Sequence, residues 1–130
     1  MRTKLITLLA LCSWVGAVPA GTLIVDGDGS AGYSTIQSAV DAAQPGDTVL
    51  VQPGTYQESV VIENKTDLTL RGTHRDSARV LRDPNGPSSI IAVRYCERVV
   101  VEQLTIDGST ASRDIGVEVE SGLDVAVRNN

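Results

Sequence analysis

One spacing recurs three times in this chain and restricts its fold more than any other feature. Val60 and Ile62 are followed, after a gap of five residues, by Leu68 and Leu70. Ile91 and Val93 stand in the same relation to Val99 and Val101, and Val117 and Val119 to Val125 and Val127. The modules are offset by 31 and then 26 residues. Positions two apart on an extended strand share one face. Each module is therefore two inward positions of one strand, a corner, and two inward positions of the next. Val80 supplies a further strand between the first two modules, and Leu104 and Ile106 do so between the second and third. A repeat of this kind describes one triangular coil of short strands. A single coil cannot bury its own inner face, whereas stacked coils bury a continuous core and pair each strand in parallel with its equivalent. An antiparallel sandwich also shows short strands between turns, but it gives no reason for an unchanged corner. Its hairpin signals are missing too: Asn-Gly occurs once, at Asn85-Gly86, and Pro87 follows it. The expected fold is all-β, a parallel β-helix.

The stretch before the repeats differs. Residues 22–25 read as a first short strand, and Asp26-Gly27-Asp28-Gly29-Ser30 as a turn. Ile36, Ala39, Val40 and Ala43 then recur at helical spacing on one face. Ser34 followed three residues later by Gln37 is a capping-box pattern at the start of this helix, and Pro45-Gly46 ends it. Residues 48–51 read as a strand and 53–55 as a turn. The helix is expected to lie across the open end of the first coil and hide the core from water. At the other end the chain stops on a strand with no capping element. Asn129 follows Gln103 by 26 residues, a place where corner amides of successive coils can form a ladder. The expectation is an incomplete solenoid over residues 48–130, truncated at its C-terminus and prone to self-association through the uncapped last coil, behind an N-terminal strand and capping helix over 21–47.

The first 20 residues read as a secretory signal peptide. Arg2 and Lys4 precede a short apolar run, and Val18-Pro19-Ala20 offers small residues for cleavage. The run is shorter than the roughly 20 residues a membrane span needs. The expected location is secreted or periplasmic. Cleavage removes two cations, so 11 Lys and Arg become 9 against 16 Asp and Glu, and the net charge moves from −5 to −7. Nucleic acid and anionic membranes both want a basic face, so neither is an expected partner. Cys12 leaves with the signal, and Cys96 remains alone. That excludes an internal disulfide and leaves a small buried residue as the reading for Cys96.

A longer stretch carries a family likeness. Residues 32–43, Gly-Tyr-Ser-Thr-Ile-Gln-Ser-Ala-Val-Asp-Ala-Ala, are followed by Pro45-Gly46-Asp47-Thr48-Val49-Leu50-Val51, Pro53-Gly54-Thr55-Tyr56 and Glu58. This resembles the opening of proteins with the pectin-lyase-like right-handed β-helix, among them pectinesterases and bacterial exported β-helix proteins. Leu68-Thr69-Leu70-Arg71-Gly72 fits the next strand of that pattern, and residues 115–130 resemble its generic repeat. The resemblance implies the right-handed fold with an N-terminal cap. It further implies a carbohydrate-active protein, polysaccharide lyase or pectinesterase-like, or a non-catalytic polysaccharide-binding or surface scaffold. The Gln- and Asp-containing catalytic signatures of pectinesterases have no match: neither Gln103 nor Asp107-Gly108 has their flanking residues. No catalytic residue is carried over.

The densest acidic group is Asp107, Asp114, Glu118, Glu120 and Asp124. Glu118 and Asp124 alternate with inward valines and so point outward. Exterior carboxylates on such a fold can bind a polysaccharide through calcium or serve as a base, and they can equally be a solvated face. Asp26, Asp28 and Ser30 resemble half a calcium loop, but the later positions hold Ala31 and Gln37 instead of Gly and Glu. His74, the only histidine, sits in a polar turn without a second His or Cys ligand for copper or zinc. Asn64-Lys65-Thr66 matches the glycosylation sequon, a pattern common by chance. The signal reading is checked by N-terminal sequencing of the exported protein, which is expected to begin at Gly21; an intact Met1 in the exported fraction would refute it.

Overall fold

The structure is a computed structural model that describes residues 19–108 and 114–130. The signal-peptide expectation falls on residues 1–18 and lies outside them. One sheet holds β1 (Thr22–Val25), β2 (Thr48–Val51), β5 (Thr69–Gly72), β8 (Val100–Glu102) and β11 (Ala126–Arg128), in that order. A second holds β3 (Gly54–Gln57), β6 (Ala78–Leu81) and β9 (Thr105–Asp107), and a third holds β4 (Val60–Glu63), β7 (Ser89–Arg94) and β10 (Ile115–Glu120). All their pairings are parallel. The chain visits the three sheets in turn and returns to the first one layer on, which is the expected β-helix.

The register reproduces the sequence modules. Val60, Ile91 and Val117 stack on one another, as do Ile62, Val93 and Val119. On the first sheet Val49, Leu70, Val101 and Val127 form a row. In the first two coils these inward side chains are fully buried. In the last coil Val119 is 47% and Val127 43% exposed, against 0% for their stacking partners Val93 and Val101. These valines face inward on β10 and β11, the last strands of their sheets among the described residues.

The constant corner has a backbone cause. Asn64 and Asp67, Tyr95 and Arg98, and Ser121 and Asp124 all lie at φ between 52° and 54°. These left-handed residues turn the chain from the third sheet to the first. Each costs about 1–2 kcal/mol for a residue with a side chain. Stacking offsets the cost, because corner amides bond to the next coil: Asn64 N to Arg94 O (3.1 Å), Tyr95 N to Glu120 O (3.0 Å), Asp67 N to Glu97 O (2.9 Å) and Arg98 N to Leu123 O (2.9 Å). Leu68 and Val99 fill the inside of the turn. Cys96 is buried there too, its thiol 3.3 Å from the carbonyl oxygen of Ile62 and 3.1 Å from that of Arg94.

Two expectations are corrected. Residues 54–57 are not a turn but β3, paired residue for residue with β6. Tyr56 is its single inward side chain and is buried, its hydroxyl donating to Gln52 O at 2.9 Å. One inward position after Pro-Gly shows no alternation. The corner amide ladder is shifted by one residue. Asn129 takes the left-handed backbone of Gln103, and it is Asn130 that reaches back, accepting from Leu104 N and donating to Val101 O, both at 3.0 Å.

The helix α1 (Ile36–Ala42) buries Ile36, Ala39 and Val40, with Ala43 beside them, as expected of a cap. Its start differs from the capping-box expectation. Thr35 is the N-cap and accepts from Ser38 N. Glu58 accepts from the amides of Ile36 (2.8 Å) and Gln37 (3.0 Å). With those donors satisfied, the Gln37 side chain reaches β4 instead. Its oxygen accepts from Val61 N at 2.7 Å and its nitrogen donates to Val61 O at 3.0 Å. A side-chain amide thus pairs with the outer edge of β4 as another strand would. Lys65 donates to Asp41 O and Ala43 O at the helix end. Asp47 accepts from Gly21 N (2.7 Å) and Gln44 N (2.8 Å), and the Gln44 and Gly21 amides hold its carboxyl below its ordinary value of 3.8.

A Cβ on Gly72 would overlap the carbonyl oxygen of Gln103, whereas one on Gly116 would only touch Ile106 at 3.7 Å. Gly72→Ala is expected to cost about 3 kcal/mol in urea unfolding, with Gly116→Ala within about 1 kcal/mol of the parent. Because the folded pKa of Asp47 is depressed, its stabilising effect is full above the unfolded value and is lost as pH falls through the folded one. Lowering pH from about 5 to 2 should reduce the urea midpoint, and Asp47→Asn should flatten that dependence. An equally steep profile in the variant would show that Asp47 is not responsible.

Candidate functional site

The exterior is built from the outward positions of the same strands, and its charges follow the register. On the third sheet Glu63, Arg94 and Glu120 occupy one row. Arg94 lies 3.5 Å from Glu120 and 3.8 Å from Glu118. On the first sheet Arg71, Glu102 and Arg128 form another row. Glu102 accepts from Arg128 at 2.8 Å and lies 3.8 Å from Arg71. At the corner between them Arg98 clamps Asp67 through two hydrogen bonds of 2.5 and 3.0 Å and also pairs with Glu97. That clamp lowers the Asp67 pKa and raises that of Arg98.

The five acidic candidates are spread over this surface. Asp107 ends β9 on the second sheet and pairs with Arg79. Glu118 and Glu120 lie on β10 and share Arg94. Asp124 is the left-handed corner residue one coil beyond Arg98. Asp114 is the most enclosed: its side chain is 4% exposed and stands 3.3 Å from Arg82. Arg82 also donates to Pro87 O at 3.2 Å. One Asp114 oxygen, Oδ2, is buried without a hydrogen-bond partner, and so is Ser59 Oγ. A buried carboxylate beside a guanidinium, with an unfilled acceptor, is the most site-like arrangement on the described surface.

The remaining candidates are structural in their surroundings. Asp28 accepts from Ser30 N at 2.8 Å and Ser30 lies 3.4 Å from Asp26, which makes a closed turn, and the Ser30 amide lowers the Asp28 pKa. His74 is exposed in a turn closed by Ser77 N bonding to His74 O. Among the described residues no three His, Cys, Asp or Glu side chains stand together as a metal site, and no pocket is formed. Sequence reasoning weighs the acids and passes over the arginines that answer them. The signal is nonetheless there: Arg94, Arg98 and Glu102 fall four residues apart, as do Glu63, Asp67 and Arg71.

No protein-family model matches the chain. No curated protein matches it in sequence. Solved structures do match it in shape. Pectin methylesterase PemA from Erwinia chrysanthemi superposes with a TM-score of 0.60 at 19% identity, over 85% of this chain and 43% of that one. A pectin methylesterase variant in complex with a hexasaccharide gives a TM-score of 0.56 at 22% identity, over 82% of this chain and 42% of that one. The chain thus spans less than half the length of either. Three parallel sheets, the helical cap and these two likenesses together establish the fold as the right-handed parallel β-helix of the pectin-lyase-like type.

Proposed function

We propose that the protein is exported, to the periplasm or the medium, and acts on or binds a polysaccharide there. On this reading the described coils are the N-terminal part of a carbohydrate-active β-helix, lyase-like or pectinesterase-like. The observation that carries it is the shared fold with two pectin methylesterases, one of them holding a hexasaccharide. The contact surface is the exterior around β9, β10 and the following corner, where Asp107, Asp114, Glu118, Glu120 and Asp124 lie. Carboxylates of an acidic polysaccharide would meet this negative surface through calcium, whose oxygen ligands both sides can supply.

A second reading is a non-catalytic surface scaffold. It is favoured by the pairing of Asp107, Asp114, Glu118 and Glu120 with arginines of the same chain, which ties these carboxylates to stacking. Affinity electrophoresis in gels of pectin, polygalacturonate and alginate, with and without calcium, separates the two. Calcium-dependent retardation in at least one gel is expected, reduced by about tenfold in affinity in a Glu118→Gln/Glu120→Gln variant. Migration unchanged in every gel would leave the scaffold reading standing alone.

A further inference from the structure

Among the described residues, Arg71 is the arginine whose charge is least answered within the chain. Its nearest carboxylate, Glu102, stands 3.8 Å from Nε. Arg75, Arg82, Arg94 and Arg128 stand 3.6, 3.3, 3.5 and 2.8 Å from theirs, and Arg79 and Arg98 are in direct contact with theirs. Glu102 is itself neutralised by Arg128, which donates to its Oε2. Arg71 donates from Nε to Gln103 Oε1 at 2.9 Å. That bond fixes the side chain without using Nη1 or Nη2, and neither makes a hydrogen bond to another described residue. The side chain is 46% exposed. A guanidinium held at Nε presents its two terminal nitrogens as a fork, the geometry that takes a carboxylate through two parallel bonds.

The surface around this fork is flat and uncharged on the side of the first coil. Alternation along β2 and β5 turns Thr48, Leu50, Thr69 and Arg71 outward, while Val49, Val51 and Leu70 face the core. Register sets Thr48 beside Thr69 and Leu50 beside Arg71. The four positions are the corners of a rectangle of about 4.8 by 6.7 Å, comparable to a single pyranose ring. Neither threonine hydroxyl is hydrogen-bonded to another described residue. Strands β1 and β8 flank the rectangle, so it lies within the sheet and not at its edge. We propose that this face binds one uronate unit of an acidic polysaccharide without calcium. The carboxylate sits on Nη1 and Nη2 of Arg71, the apolar face of the ring on Leu50, and ring hydroxyls on Thr48 and Thr69. One cation in a neutral patch matches one carboxylate per ring, and the two open hydroxyls match a ring that carries hydroxyls of its own. The inference rests on the polysaccharide reading above, but it uses the first sheet in place of the acidic surface around β10.

Titration with galacturonate and guluronate trimers in EDTA, followed by ¹H–¹⁵N NMR, tests it. At least one trimer is expected to shift the amides of β2 and β5 and the Arg71 Nε–H signal. A galactose trimer, which lacks the carboxylates, should bind about tenfold more weakly, and so should a glutamate trimer, which lacks the rings. Arg71→Gln should weaken uronate binding about tenfold. Arg71→Lys, which keeps the charge without the fork, should recover only part of the loss. Thr48→Val/Thr69→Val keeps the side-chain shape and should weaken binding several-fold, with unchanged amide shifts in α1 and β4 reporting an intact fold. Shifts confined to β9 and β10, equal binding of the glutamate trimer, or full affinity in Arg71→Gln would overturn the inference. Absence of binding in EDTA beside calcium-dependent retardation on the polymer gels would overturn it and leave the polysaccharide reading intact. Loss of both would sink the two together.

Discussion

Parallel stacking of one coil on the next is the constraint from which the other features derive. The inner face of a coil is apolar on three sides and becomes dry only when another coil lies on it. The backbone has the same need, since each strand satisfies half of its hydrogen bonds on either neighbour. Alternation within strands, left-handed corners and outward charges are therefore read along the stacking direction, not along the chain. Val93 and Val119 illustrate this: they share one register row, and only the one with a layer on both sides is fully buried.

The two ends answer the constraint differently. At the first coil the sequence departs from its repeat and lays a short helix over the core. The helix alone would leave the edge of β4 open, and the Gln37 amide closes part of it by imitating a peptide group. At the far end the Asn130 amide makes a similar pair of bonds to Val101 and Leu104, and among the described residues no helix lies on the valines. Both amides thus serve a strand edge or corner in place of a backbone peptide group.

The β-helix was legible in the sequence because its main driving force, burial of alternating branched side chains, leaves a periodic trace. The corner was legible as a gap without its mechanism: nothing in Tyr95 or Arg98 announces a left-handed backbone, since stacking imposes it. β3 was hidden because a single inward tyrosine has no period. The helix start was displaced by one residue because Glu58, 22 residues from Ile36, takes the donors that a local cap would have used. Among the candidate site residues, the outward direction of Glu118 could be read from its valine neighbours. Its arginine could not, because Arg94 lies on the preceding coil and is found only once the register is known.

The sides of the coil also differ in how freely they can change. Between the third sheet and the first, the link keeps one length and two left-handed residues in every coil. Between the second sheet and the third it occupies residues 58–59 in the first coil and 82–88 in the second. Between the first sheet and the second it also changes length, over residues 52–53, 73–77 and 103–104. New residues can therefore be added along two edges of the prism without disturbing the stack, and only the left-handed corner holds its length. Lineages that diversify such a coil will do so along those two edges, and Asp114 stands at the rim of one of them.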